Sequence, residues 1–185
     1  MIRNLLRKIY YIKSFLRFKS FGRNLMLGPG GLIARPNEVT IGNNVYIARN
    51  FFISARNLQI GNNVMIGPNL VIECDNHSFN KVGYSMFEYR HERIGSFVTI
   101  EDDVWIGANT TILANTCISE GVIIGAGSVI NRTIPPYTLA VGVPCKPIKT
   151  RFSKEELQEH LIKIKSKYQL EEILSEWRKY KLIEL

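Results

Sequence analysis

Isoleucine returns every six residues through the middle of the chain, at positions 41, 47 and 53, at 60, 66 and 72, and at 94, 100, 106, 112, 118, 124 and 130. The next residue is often glycine (Gly42, Gly61, Gly67, Gly95, Gly107, Gly125), and the fifth of each hexad is mostly apolar or β-branched, as at Val45, Val64, Val98, Val104 and Val122. A six-residue period scatters these isoleucines around every face of a helix, whose turn takes 3.6 residues. It suits short strands joined by turns, with a β-branched side chain inward and a small residue at each corner. Three hexads then make one triangular coil. Ile94, Ile112 and Ile130 are expected to stack, as are Ile100 on Ile118 and Ile106 on Ile124. Coils follow one another at about 4.8 Å, and each buries its isoleucines only against its neighbours, which is the logic of a solenoid.

Four stretches depart from the rhythm. Ile72 and Ile94 are 22 residues apart, and the segment between them is polar and aromatic, with His77, Phe79, Tyr84, Met86, Phe87, Tyr89 and His91. Packing alone does not call for such an excursion, and long loops in compact folds are usually functional. The opening segment is amphipathic: Ile2, Leu5, Leu6, Ile9, Ile12 and Leu16 share one helical face, interrupted by Lys13, and Arg3, Asn4, Arg7, Tyr11 and Ser14 the other. Two readings are open for it, a helix packed on the solenoid or an interfacial helix attracted to anionic lipid. Residues 27–36, LGPGGLIARP, read as a turn-rich link into the first coil. After IPPYT, residues 134–138, the rhythm ends. Ser153 and Glu156 form a capping-box pattern with Phe152 and Leu157 as its staple, and a second helix is expected over about Glu171–Tyr180. These helices are expected to cover an open end of the solenoid.

The chain of 185 residues thus divides into an N-terminal basic amphipathic helix (1–22), a β-helix domain (23–150) with an inserted loop (73–93), and a C-terminal helical cap (151–185). The net charge of +8 changes little in this picture, because the eight Lys and Arg residues before Glu38 account for all of it. Basicity is local and does not point to a nucleic-acid partner. Three cysteines without metal-type spacing suit reduced thiols and a cytoplasmic setting, and no secretory h-region or membrane-spanning run is expected.

His77 follows the last regular hexad directly, where rigid scaffold can position an imidazole to take a proton from an attacking alcohol or amine. His160 falls within the first C-terminal helix and reads as structural or solvated.

The stretches IGNNVMIGPNLVIECDNHSF (60–79) and IEDDVWIGANTTILANTCISEGVIIGAGSVINRTIPPYTLAVGVPCKPIK (100–149) resemble the hexapeptide-repeat acetyltransferases, of the maltose and galactoside type and their surface-polysaccharide relatives, over about residues 40–150. The resemblance implies a mainly β fold, a left-handed parallel β-helix, assembled as a homotrimer with sites between subunits. It implies acetyl-CoA as donor, no metal, and His77 as general base on the acceptor. A thioester is already activated, so a base, proximity and N–H donors at the developing oxyanion suffice, without an enzyme nucleophile. By the same resemblance Trp105 lies at the active site, toward both acceptor and donor; Asn50 and Asp75 belong to the acceptor pocket. Ala108, Ala126 and Ser128 line the pantetheine channel, and Arg132, Lys146 and Lys149 fall where the family places cations for the CoA phosphates. Asn131 and Arg132 stand where the family often carries Thr-Lys.

The function expected is O-acetylation of a sugar hydroxyl in surface polysaccharide biosynthesis (capsule, lipopolysaccharide or exopolysaccharide), in the cytoplasm with peripheral contact at the inner face of the membrane through the N-terminal helix. The alternative keeps the donor and acetylates the amino group of a nucleotide-linked sugar. A zinc carbonic anhydrase on the same kind of β-helix needs three converging histidines, which this chain does not supply outside the terminal helix. A non-catalytic scaffold would fail to bind acetyl-CoA.

Overall fold

The computed structural model describes residues 17–74, 77–90 and 96–183. Short parallel strands stack into three sheets that form the faces of a triangular prism. Face A contains β1 (Ser20–Phe21), β4 (Val39–Ile41), β7 (Leu58–Ile60), β10 (Val98–Ile100) and β13 (Thr116–Ile118) in that order. Face B contains β2 (Leu25–Leu27), β5 (Val45–Ile47), β8 (Val64–Ile66), β11 (Trp105–Ile106), β14 (Ile123–Ile124), β16 (Thr138–Val141) and β17 (Lys146–Thr150). Face C contains β3 (Leu32–Ile33), β6 (Phe52–Ser54), β9 (Val71–Glu73), β12 (Thr111–Leu113) and β15 (Val129–Ile130). Two C-terminal helices follow, α1 (Lys154–Ile164) and α2 (Leu170–Lys179).

The expected stacking is observed. Ile100 pairs in register with Ile118, Ile106 with Ile124 and Ile112 with Ile130, and all are essentially inaccessible. Ile94 and the segment 1–16, with its amphipathic pattern, lie outside the described residues.

Two expectations are corrected. Residues 27–36 are not a link. Phe21, Leu27 and Ile33 are six residues apart, the last of them eight residues ahead of Ile41, and pair with the next coil, Phe21 on Ile41, Leu27 on Ile47 and Ile33 on Ile53, so the solenoid is already formed at Ser20 rather than from residue 23. At the other end the prism outlasts the isoleucines: Ile134 bridges to Ile118, and Ala140 takes the place over Ile124 before β17 turns back antiparallel and closes the edge of face B.

The corners also differ from expectation. The residue that turns the chain lies three positions after the inward one: Asn44, Asn50, Asn63, Asn69, Asp103, Asn109 and Asn115 all have φ between 56° and 60°, and Gly121 and Gly127 continue the series. Asn and Asp tolerate this left-handed conformation better than other side chains. Their amides also bond from coil to coil, Asn44 to Asn63 at 2.9 Å and Asn69 to Asn109 at 2.8 Å. The glycine straight after isoleucine answers a different need. A Cβ on Gly107 would sit 2.5 Å from the Ala126 nitrogen of the next coil, so coil spacing excludes a side chain there.

The helices cover the last coil as expected. Leu157, Leu161, Ile173, Leu174 and Trp177 bury themselves around Tyr137, and the Trp177 indole N–H donates to the Pro136 carbonyl at 2.8 Å. The capping box at Ser153 and Glu156 is present. Tyr137 also donates to Glu120, and Arg151 pairs with Asp103 at 2.6 Å, tying cap to prism. His160 is structural: its ring packs on Phe152 at 4.8 Å and edge-on to Tyr137 at 5.6 Å.

Candidate active site

The last inward residue before the excursion is Cys74, and His77 emerges three residues later, at the corner where face C passes to face A. Its Nδ1 lies 2.6 Å from the Arg90 carbonyl oxygen. A carbonyl can only accept, so in the neutral ring Nδ1 carries the hydrogen and Nε2 keeps its lone pair. That tautomer is the one a general base requires. The ring is exposed, accessible to a substrate.

The loop between these partners makes little use of burial. Phe79, Val82, Met86 and Phe87 are more than two-thirds exposed. It is ordered by local contacts instead. Lys81 lies over the Tyr89 ring at 3.9 Å and donates to its hydroxyl, and Arg90 lies over the Phe87 ring at 4.0 Å. None of Lys81, Ser85, Glu88 or Arg90 was singled out from sequence. The Ser-x-x-Glu spacing of Ser85 and Glu88 was a legible signal, hidden by its position outside a helix.

Trp105 projects outward from β11, half exposed, in a row that runs across face B: Met26, Tyr46, Met65, Trp105, Ile123, Leu139, Lys149. Trp105 and Lys149 are three strands apart on it, about 14 Å at the usual strand spacing. Lys146 is exposed on the same closing strand. Ala108 and Ala126 stack at the corner where face B passes to face C, with the Gly127 N–H donating to the Ala108 carbonyl at 2.8 Å. Asn50 stands at the same corner with φ 60°, its N–H bonded to the Pro29 carbonyl. Ser128 is fully buried; its hydroxyl donates to the Gly125 carbonyl at 2.7 Å and accepts from the Gly142 N–H, so only its backbone could face a ligand. Asn131 and Arg132 are exposed at the other corner of face C, the corner from which the His77 loop leaves. Arg132, Lys146 and Lys149 have no ion pair among the described residues. Asp75 and His91 lie outside the described residues.

The predicted set therefore divides within one protomer. His77, Asn131 and Arg132 lie at one end of the face C strands, while Asn50, Trp105, Ala108 and Ala126 lie at or beyond the other. None of the cysteines forms a disulfide. Burial pushes the thiols of Cys117 and Cys145 up, keeping them protonated and poor nucleophiles. Among the described residues no group of His, Cys, Asp and Glu is placed to hold a metal ion, and no helix is long and apolar enough to cross a membrane.

The family model described as bacterial transferase hexapeptide (six repeats) matches residues 97–132. A maltose O-acetyltransferase from Clostridium difficile 630 superposes with a TM-score of 0.68 at 31% identity, over 76% of this chain and 73% of that one. The hexapeptide-repeat acetyltransferase VCA0836 of Vibrio cholerae O1 biovar eltor, complexed with acetyl-CoA, gives a TM-score of 0.70 at 27% identity, over 80% and 79%. Galactoside O-acetyltransferase of Escherichia coli (strain K12) is 30% identical over 135 residues, 71% of this chain. The fold and its repeats define a hexapeptide-repeat parallel β-solenoid. The chain belongs to the hexapeptide-repeat acetyltransferase family. It spans 64% of the length of the E. coli enzyme.

Proposed function

We propose that the protein is an acetyl-CoA-dependent O-acetyltransferase acting on a sugar hydroxyl, with His77 as general base. The observation that carries this reading is the Nδ1 contact with the Arg90 carbonyl, which leaves Nε2 free at the base of the large insertion. In the reaction, Nε2 removes the proton of the acceptor hydroxyl as its oxygen adds to the acetyl carbonyl of the donor. The tetrahedral intermediate collapses by breaking the carbon–sulfur bond. The imidazolium returns its proton to the departing thiolate, giving the acetyl ester, CoA thiol and a neutral base. The corner built by Ala108 and Ala126, where the coils approach closely, suits the slender pantetheine arm of the donor.

The split of the site residues supports assembly. Face A presents a polar outward row (Ser20, Thr40, Gln59, Thr99, Cys117), whereas face B presents the Trp105 row and face C presents Leu32, Phe52, Val71, Thr111 and Val129. Two adjacent apolar faces that are not alike suit a heterologous contact closing into a C3 ring. In that homotrimer the His77 end of one protomer meets the Trp105 side of the next, and the cations Lys146 and Lys149, with Asn131 and Arg132 at the other corner, serve the CoA phosphates. Asn50 and Asp75 belong with Trp105 to the acceptor side.

The names of the maltose and galactoside relatives support a sugar acceptor, and an enzyme of surface polysaccharide biosynthesis at the cytoplasmic face of the membrane fits the basic N-terminal segment. The test is a screen of the full chain with acetyl-CoA against oligosaccharides and nucleotide sugars, read by mass shift. His77→Ala is expected to lower transfer by about 10²- to 10⁴-fold with the oligomer retained. Undiminished turnover would remove His77 from the role of base, and preference for amino acceptors would favour N-acetylation of a nucleotide-linked sugar.

A further inference from the structure

The inference drawn here rests on His77 being the base. Its hydrogen-bond partner is a backbone carbonyl on an exposed loop, and an exposed carbonyl orients a ring only if something fixes the carbonyl. Core burial does not, because residues 81–88 are exposed and Tyr89 and Arg90, half-buried, lie outside the hydrophobic core. The fixing contacts form a closed turn just before Arg90. The Glu88 carboxylate accepts from the Ser85 N–H at 2.8 Å and from the Ser85 hydroxyl at 2.7 Å. The Glu88 N–H donates back to the Ser85 hydroxyl oxygen at 3.3 Å. This is the reciprocal arrangement that starts a helix, here followed by turns through Arg90. The Ser85 carbonyl then accepts from the Tyr89 N–H at 3.2 Å, and the Phe87 carbonyl accepts from both the Arg90 N–H, at 3.4 Å, and the Arg90 guanidinium, at 2.6 Å. These bonds tie the chain from Ser85 to the Arg90 N–H and guanidinium, immediately before the carbonyl that meets His77.

We propose that the Ser85–Glu88 turn is a positioning device for catalysis, holding the Arg90 carbonyl against His77 Nδ1 so that Nε2 stays unprotonated and aimed at the acceptor. Ser85 and Glu88 act through His77 and touch neither substrate. The hydrogen bonds from Ser85 lower the Glu88 carboxyl pKa, so the turn is intact above the ordinary carboxylate range and is lost only as pH falls below it. It therefore does not itself titrate where an imidazole does.

The deciding measurement reads the ring rather than the rate. The chain has three histidines, so long-range 1H–15N spectra of full-length protein labelled on histidine nitrogen are simple, and His77→Asn assigns the signal. Above the titration of the ring, the His77 signal is expected to be that of the Nδ1–H tautomer. In Glu88→Ala and Ser85→Ala it moves toward Nε2–H, while Glu88→Gln and Ser85→Thr, which keep an acceptor and a hydroxyl, restore it. Acetyl-CoA hydrolysis, with water as acceptor and CoA thiol release as readout, is expected to fall about ten- to a hundred-fold in kcat for the alanine variants, with KM for acetyl-CoA unchanged. An unchanged tautomer in Glu88→Ala and Ser85→Ala would overturn the positioning role and leave His77 as base intact. A shifted tautomer with an undiminished rate would overturn both, and loss of rate in His77→Ala alone would sustain the base and reject the turn.

Discussion

The coils and the inserted loop are held by opposite means. In the coils most inward isoleucines are covered by isoleucine one coil away, Ile106 between Ile66 and Ile124, and corner amides such as Asn69 and Asn109 bond from coil to coil. Order there comes from neighbours and is collective. The loop at 77–90 keeps its aromatic side chains in solvent and is ordered by contacts within a few residues, such as Lys81 on Tyr89 and Ser85 with Glu88. The comparison shows how a repetitive scaffold acquires chemistry. Repetition supplies stiffness, and the large insertion between Ile72 and Ile94 supplies His77 with a local geometry of its own.

That contrast can be broken in stages. Replacing His77 by Ala is expected to cost the most in function, about 10²- to 10⁴-fold in transfer rate, and almost nothing in the denaturation midpoint. A melt displaced with the rate would mean that loop and coils are coupled. Ile106→Ala is the mirror experiment: a fully buried isoleucine in the middle of its stack, costing about 2–5 kcal/mol of stability by chemical denaturation. At a corner, Asn109→Ala is expected to cost about 1–2 kcal/mol, since φ of 56° strains a side chain with no polar compensation, and Asn109→Gly less. Equal losses for both would show that the amide ladder to Asn69, rather than φ, governs the corner.

The smallest effect appears only in alkali, at the cap. Burial first, and the hydrogen bond to Glu120 second, raise the Tyr137 phenol pKa well above its ordinary value, and Tyr168 is raised by burial and its bond to Glu101. Because the folded pKa lies above the unfolded one, the stabilisation is fully present below about pH 10 and is lost as pH rises beyond it. Thermal melts across that range should therefore slope downward, and more gently in Tyr137→Phe. A slope unaltered by Tyr137→Phe would assign the alkaline loss elsewhere.

The solenoid was legible because its signal is repeated: thirteen isoleucines at one period admit one local geometry, and the stacks at Ile100, Ile106 and Ile112 followed from spacing alone. The first coil was not, because Phe21, Leu27 and Ile33 carry the spacing in three different residue types and the three glycines of residues 27–36 imitate a link. The corners misled for a related reason. Glycine marks where coils press together, and asparagine marks where the chain turns, yet both look like turn residues in a linear reading.

From the sequence alone came the period, the coil, the place where it is interrupted, the capped helices and the imidazole at the interruption, all consequences of local spacing and residue chemistry. Only the tertiary structure decided that His77 and Trp105 stand on different sides of face C, that apolar rows cover two faces and not the third, and that a carbonyl thirteen residues along the chain selects the tautomer. Those facts depend on which residues meet across coils and loops, and no period along a chain encodes a meeting that happens once.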